Sequence, residues 1–64
     1  MQTTTISKTK QGELIRLFPS ETAPVWVRRH YDRASKRYSL TRYDDANAET
    51  FRRGTTHCIT GFTF

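Results

Sequence analysis

The clearest alternation of apolar and polar positions lies between Pro24 and Asp45. The run Val-Trp-Val-Arg-Arg-His-Tyr, residues 25–31, is rich in β-branched and aromatic residues and follows a proline, as strand starts often do. A strand sends alternate side chains to opposite faces, so Val25, Val27, Arg29 and Tyr31 share one face and Trp26, Arg28 and His30 the other. The run 36–43 sets Tyr38, Leu40 and Arg42 against Arg37, Ser39, Thr41 and Tyr43. Between the two runs, Asp32-Arg33-Ala34-Ser35 has the composition of a turn. With those four residues as the loop, Tyr31 faces Lys36 and Val27 faces Leu40. This even-numbered loop gathers the aliphatic side chains on one face, and a slip of one residue would undo it. The pattern therefore predicts a hairpin with Val25, Val27, Tyr38 and Leu40 inside, and Trp26, Arg28, His30, Arg37 and Tyr43 outside.

Shorter pieces flank the hairpin. Residues 1–11 are polar, with three consecutive threonines, and read as a flexible N-terminal arm that Ile6 pins to the sheet. Residues 12–64 then form a single small β domain. Residues 13–18 contain Leu14, Ile15, Leu17 and Phe18 and predict a strand covered on both faces. The loop 19–24 is bracketed by Pro19 and Pro24, which stop strand pairing on either side. Residues 45–53 suit either a short helical turn, capped by Asp45 and ended by Gly54, or a strand through Phe51. The strand is preferred, because one helical turn would bury only Phe51. The last strand is expected at 56–64, with Cys58, Thr60, Phe62 and Phe64 on one face and a bulge or close approach at Gly61. The fold class is all-β: a small five-stranded antiparallel, strongly bent sheet, or a barrel that resembles SH3-like or OB-like folds in architecture. Fold of this kind does not specify function.

Size and charge narrow the function classes. Sixty-four residues lie near the lower limit for a chain that folds alone, leaving little room for a deep catalytic cleft. Eleven Lys and Arg face six Asp and Glu, a net charge of +5 that favours acidic partners. Most of these cations are arginine, which suits stacked and bidentate contacts. The single Cys58 excludes an intramolecular disulfide, and no apolar run is long enough for a membrane span. The expected setting is cytoplasmic, without membrane contact.

The outer face of the hairpin is the candidate site. Binders of single-stranded nucleic acid combine a basic groove with aromatic rings on which bases stack. Trp26 and Tyr43 would supply the rings, Arg28, His30 and Arg37 the near charges, and Arg33 and Lys36 the longer-range attraction. The alternative is a protein-interaction module or homo-oligomeric subunit that uses the same Trp, Tyr and Arg face, docking an acidic protein or a second copy as a homodimer. His57 and Cys58 are adjacent and so diverge in a strand, and the ligand spacing of a zinc or calcium site is absent. No nucleophile–base spacing or glycine-rich phosphate loop occurs. The chain thus reads as non-catalytic, with no cofactor and no metal.

Overall fold

The structure is a computed structural model that describes residues 2–62. It is an antiparallel sheet of six strands: β1 (Gln2–Thr5), β2 (Leu14–Arg16), β3 (Val25–Asp32), β4 (Arg37–Arg42), β5 (Asp45–Arg52) and β6 (His57–Thr60). A single 3-10 turn, Ile6–Lys8, follows β1. The order across the sheet is β1-β6-β2-β3-β4-β5, so β1 and β5 are the two edges and do not pair. The all-β class is as expected, with six strands in place of five and no closed barrel.

The sheet is nonetheless rolled, and one hydrogen bond shows why. β5 and β6 are consecutive in the chain but four strand spacings apart in the sheet. In a flat sheet that separation is roughly 19 Å. Thr56 N donates to Arg53 O at 2.9 Å, which closes a turn whose ends lie within about 7 Å. Only a curled sheet satisfies both. The remaining gap is bridged from the N-terminal side, where Ile6 N donates to Thr56 O at 3.0 Å and Ser7 N to Gly54 O at 3.1 Å. Gly54 is needed here: a Cβ would stand 2.9 Å from Tyr38 Cε1 and 3.0 Å from Ser7 Cβ.

Residues 2–5 form an edge strand of the sheet and Ile6–Lys8 a 3-10 turn, where the sequence suggested an arm pinned at Ile6. Gln2–Thr5 pairs with β6 from Gln2↔Thr60 to Thr5↔His57, and Ile6 is fully buried. Polar threonines suit a strand as well as an arm, because their branched Cβ favours extended backbone. Ile6 joins Ile15, Leu40 and Cys58 in the core, with Leu17, Trp26 and Tyr38 packed against them.

The hairpin forms, but with its faces rearranged. Trp26 pairs with Arg42, Val27 with Thr41 and Arg28 with Leu40; beyond the register shift, Tyr31 pairs with Tyr38 and Asp32 with Arg37. Two residues of β3, Arg29 and His30, thus oppose the single Ser39, which is a β-bulge. The expected pairing of Val27 with Leu40 is displaced by one residue, and Trp26 and Arg28 lie on the face of Tyr38 and Leu40. Val25 and Val27 fall on the opposite face. The loop has the expected four residues but runs from Arg33 to Lys36. Asp32 Oδ1 accepts from Ala34 N at 3.0 Å, Asp32 Oδ2 accepts from Ser35 Oγ at 3.1 Å, and Lys36 closes the turn at φ 58.

Residues 45–52 are a strand rather than a helical turn, and the helical turn of the chain sits at Ile6–Lys8. β2 and β6 are shorter than expected. Gly61 follows β6 at φ 68, a conformation glycine adopts readily. The expected strand positions Thr63 and Phe64 lie outside the described residues. Burial of Cys58, 1% exposed, raises its thiol above the ordinary range, with the negative charge of Glu13 adding to the effect. Cys58 is therefore expected to resist thiol reagents at pH 8 while the protein is folded, and to react within minutes in denaturing urea. Rapid modification of the folded protein would place it outside the core.

Candidate functional site

The bulge in β3 decides which side chains meet. It lets Arg28 and Tyr31, three apart in sequence, share the face of Tyr38 and Leu40. The rings of Tyr31 and Tyr38 lie 4.8 Å apart at 56°. The Arg28 guanidinium sits 4.4 Å over the Tyr38 ring, an arrangement that attracts the cation to the negative ring face. Arg28 Nε is buried with no hydrogen-bond partner among the described residues, so this nitrogen relies on the ring contact in place of a hydrogen bond. Tyr38 is thus fixed on both sides, while Tyr31 remains 44% exposed and offers a free surface.

Beyond this pair the sheet ends in an open groove of about 400 Å³, lined by Ser7, Tyr31, Lys36, Tyr38, Arg53, Gly54 and Thr55. Three segments far apart in sequence build it: the 3-10 turn, the β3–β4 loop and the turn between β5 and β6. Two cations, Lys36 and Arg53, flank two tyrosines. A second groove of about 320 Å³ adjoins it, lined by Arg37, Phe51, Arg52, Arg53, Thr55 and Thr56. Of the carboxylates near these grooves, Asp32 spends both oxygens on the β3–β4 loop and Glu49 accepts from Ser39 Oγ.

The opposite end of the sheet is different in kind. There Thr22, Ala23, Pro24, Val25, Arg42, Tyr43 and Asp44 line a separate depression. Arg42 Nε lies 2.9 Å from Asp44 Oδ1, close enough for an ion pair but not aligned as a hydrogen bond. Asp45 opens β5 at the same end, with its Oδ1 accepting from Asn47 N at 3.0 Å. Cations are thus concentrated at one end, where Arg33, Lys36, Arg37, Arg52 and Arg53 outnumber Asp32, while Asp44 and Asp45 stand with Arg42 at the other.

The residues singled out from the sequence are distributed over this frame rather than gathered on one face. Arg33 and Lys36 are exposed in the β3–β4 loop at the basic end, and Lys36 lines the first groove. Arg37 lies at the same end but on the face of Ser39 and Phe51, opposite to Arg28. His30 is exposed in the bulge. Tyr43 is 58% exposed at the far end, next to Val25, whose carbonyl accepts from its N–H at 2.8 Å. Trp26 is half-buried against the core. The residues missed are Tyr31, Phe51, Arg52 and Arg53. Nothing in the sequence singles out Tyr31, because it is five residues from Trp26 and only the bulge brings the two to one face.

Among the described residues no group of three or more His, Cys, Asp or Glu could hold a metal ion, and no helix is long and apolar enough to cross a membrane. No protein-family model, curated protein or solved structure matches the chain.

Proposed function

We propose that this protein is a cytoplasmic, non-catalytic nucleic-acid-binding module, a rolled sheet of SH3-like character that takes single strands at its basic end. The observation that carries the reading is the first groove, which the exposed Tyr31 lines together with Lys36 and Arg53. Every base has a π-face, so a ring flanked by cations binds single strands with little preference for sequence. Tyr31 is the stacking platform, held in place by Tyr38 and, through Tyr38, by Arg28. Lys36, Arg52 and Arg53 are the phosphate contacts, and Arg33 and Arg37 add attraction at longer range. Trp26 serves the fold in this reading, because its ring packs on the core.

The two contributions to affinity separate by salt. With about three phosphates neutralised, log K falls against log salt with a slope near −2, since single strands give about −0.7 per contact. Arg53→Ala is expected to flatten that slope by about 0.7. Tyr31→Ala is expected to weaken binding by roughly 1–3 kcal/mol with the slope unchanged. Fluorescence anisotropy of a labelled oligo-dT and a mixed-sequence RNA at several salt concentrations reads both effects. If neither ligand binds below roughly 100 μM at low salt, weak even for non-specific attraction, the reading fails. Tight binding of an acidic peptide in its place would assign the groove to a protein partner.

A further inference from the structure

We infer that the nucleic-acid track does not end at Tyr31 but crosses the turn between β5 and β6 to a second base platform on Phe51, so that a single strand is held on both faces of the sheet. The inference rests on the proposed function and adds its geometry and its ligand class. The first and second grooves share Arg53 and Thr55 as a common wall. The second groove shares Arg37 and Phe51 with a third hollow of about 180 Å³, which Asp32 and Ser35 complete. The three hollows adjoin one another around the basic end through these shared residues.

The sequence of chemistry along these hollows is ring, cations, ring. Tyr31 and Lys36 stand at the start, Arg53 and Arg52 in the middle, Arg37 and Phe51 at the finish. Phe51 pairs with Ser39, one position from the Tyr38↔Arg52 pair, so its side chain leaves the sheet on the face opposite to Tyr38. It is 37% exposed. Arg52, which pairs with Tyr38 and so leaves on Tyr38's face, is tied to its own strand: Nη1 donates to Thr50 Oγ1 at 2.5 Å and to Phe51 O at 2.9 Å. Two rings on opposite faces, with guanidinium groups on the ridge between them, match a base, its linking phosphates and a later base. A double helix does not fit such a path. Its bases are stacked inside it, and its stiffness, a persistence length of about 150 base pairs, prevents it from folding over one turn. The ligand class is a flexible single strand of about four or more nucleotides, at the low end of the site sizes known for small β domains.

The experiment is a length series of oligo-dT from two to eight nucleotides, titrated against the whole protein and against Phe51→Ala, Phe51→Trp and Tyr31→Ala. For the unaltered protein, affinity is expected to rise steeply up to about four nucleotides and only slightly thereafter. Phe51→Ala is expected to weaken the longer oligonucleotides roughly 5- to 150-fold, the worth of one stacked base, while leaving the dinucleotide unchanged. Phe51→Trp should restore the loss, and Tyr31→Ala should weaken every length. Circular dichroism of the Phe51 variants checks that they are folded, and the tryptophan variant keeps the test open if the alanine one is not. Binding of long oligonucleotides that is indifferent to Phe51, or weakened equally at every length, overturns the second platform and leaves the first groove standing. Absence of binding at any length overturns the proposed function itself.

Discussion

Replacing Leu40 by alanine is expected to cost about 2–5 kcal/mol, the range for emptying a well-packed core site. Leu40 is fully buried among Ile6, Ile15 and Cys58. A domain of this size holds only about 3–5 kcal/mol of net stability from its core, so the variant should be largely unfolded at 25 °C. The comparison that gives the result its meaning is Val27→Ala. Val27 is half-buried on the other face, opposite Leu14 and Thr41, and its loss should cost about 1 kcal/mol. Urea titration followed by Trp26 fluorescence measures both. Equal losses at the two sites would restore the register in which Val27 and Leu40 face each other, and with it a Trp26 that points away from the core.

A second large effect is expected from removing residues 1–6. The deletion takes away β1 and the Ile6 side chain together. Loss of a buried isoleucine alone is worth about 2–5 kcal/mol. It also strips the partner from β6 along Thr60 to His57, exposing the strand that carries Cys58 and Ile59. The shortened chain should give a collapsed proton–nitrogen NMR spectrum, with amide signals crowded into the unfolded range. A well-dispersed spectrum from residues 7–64 would show that the N-terminal strand decorates a sheet already stable without it. Ile6→Ala in the full chain separates the two contributions, because it empties the core and leaves the β1–β6 ladder in place.

The sequence shows the strands more clearly than their registration. The class of fold, the hairpin and its four-residue loop are legible because alternation and turn chemistry are local properties. The faces are not, because one bulge at Arg29 and His30 inverts the parity of everything before it. No local rule marks that site: Arg-Arg-His is polar throughout and carries no glycine. What places the bulge is tertiary. β2 continues beside β3 only to the point where Arg28 N donates to Glu13 O at 2.9 Å and Arg28 O accepts from Gly12 N at 2.6 Å, and the irregularity begins directly after. Gly12, at φ 90, makes that exit. The candidate site suffers from the same inversion. Its cations are visible as a cluster, but strict alternation puts Tyr31 on the face of the valines, and Arg53 belongs to a turn that only the rolling of the sheet brings beside Lys36. The role of Ile6 was visible as an anchor; that Gln2–Thr5 would complete a strand was not, since a run of threonines suits an arm as readily.

The other register shift, in β5, has a consequence for how the molecule behaves among copies of itself. Arg42 pairs with Asp45 and Thr41 with Glu49, so Ala46, Asn47 and Ala48 have no counterparts on β4. An open rim of backbone donors and acceptors is a template on which a foreign strand can grow, and its strength as a template increases with uninterrupted length. Here the excursion at Ala46–Ala48 breaks the rim, and only Glu49 to Arg52 remains in step, with a charge at either end. At the other rim, Gln2–Thr5 offers four polar residues. A rolled sheet left unsealed thus keeps each exposed margin short, which leaves a foreign strand little length on which to grow.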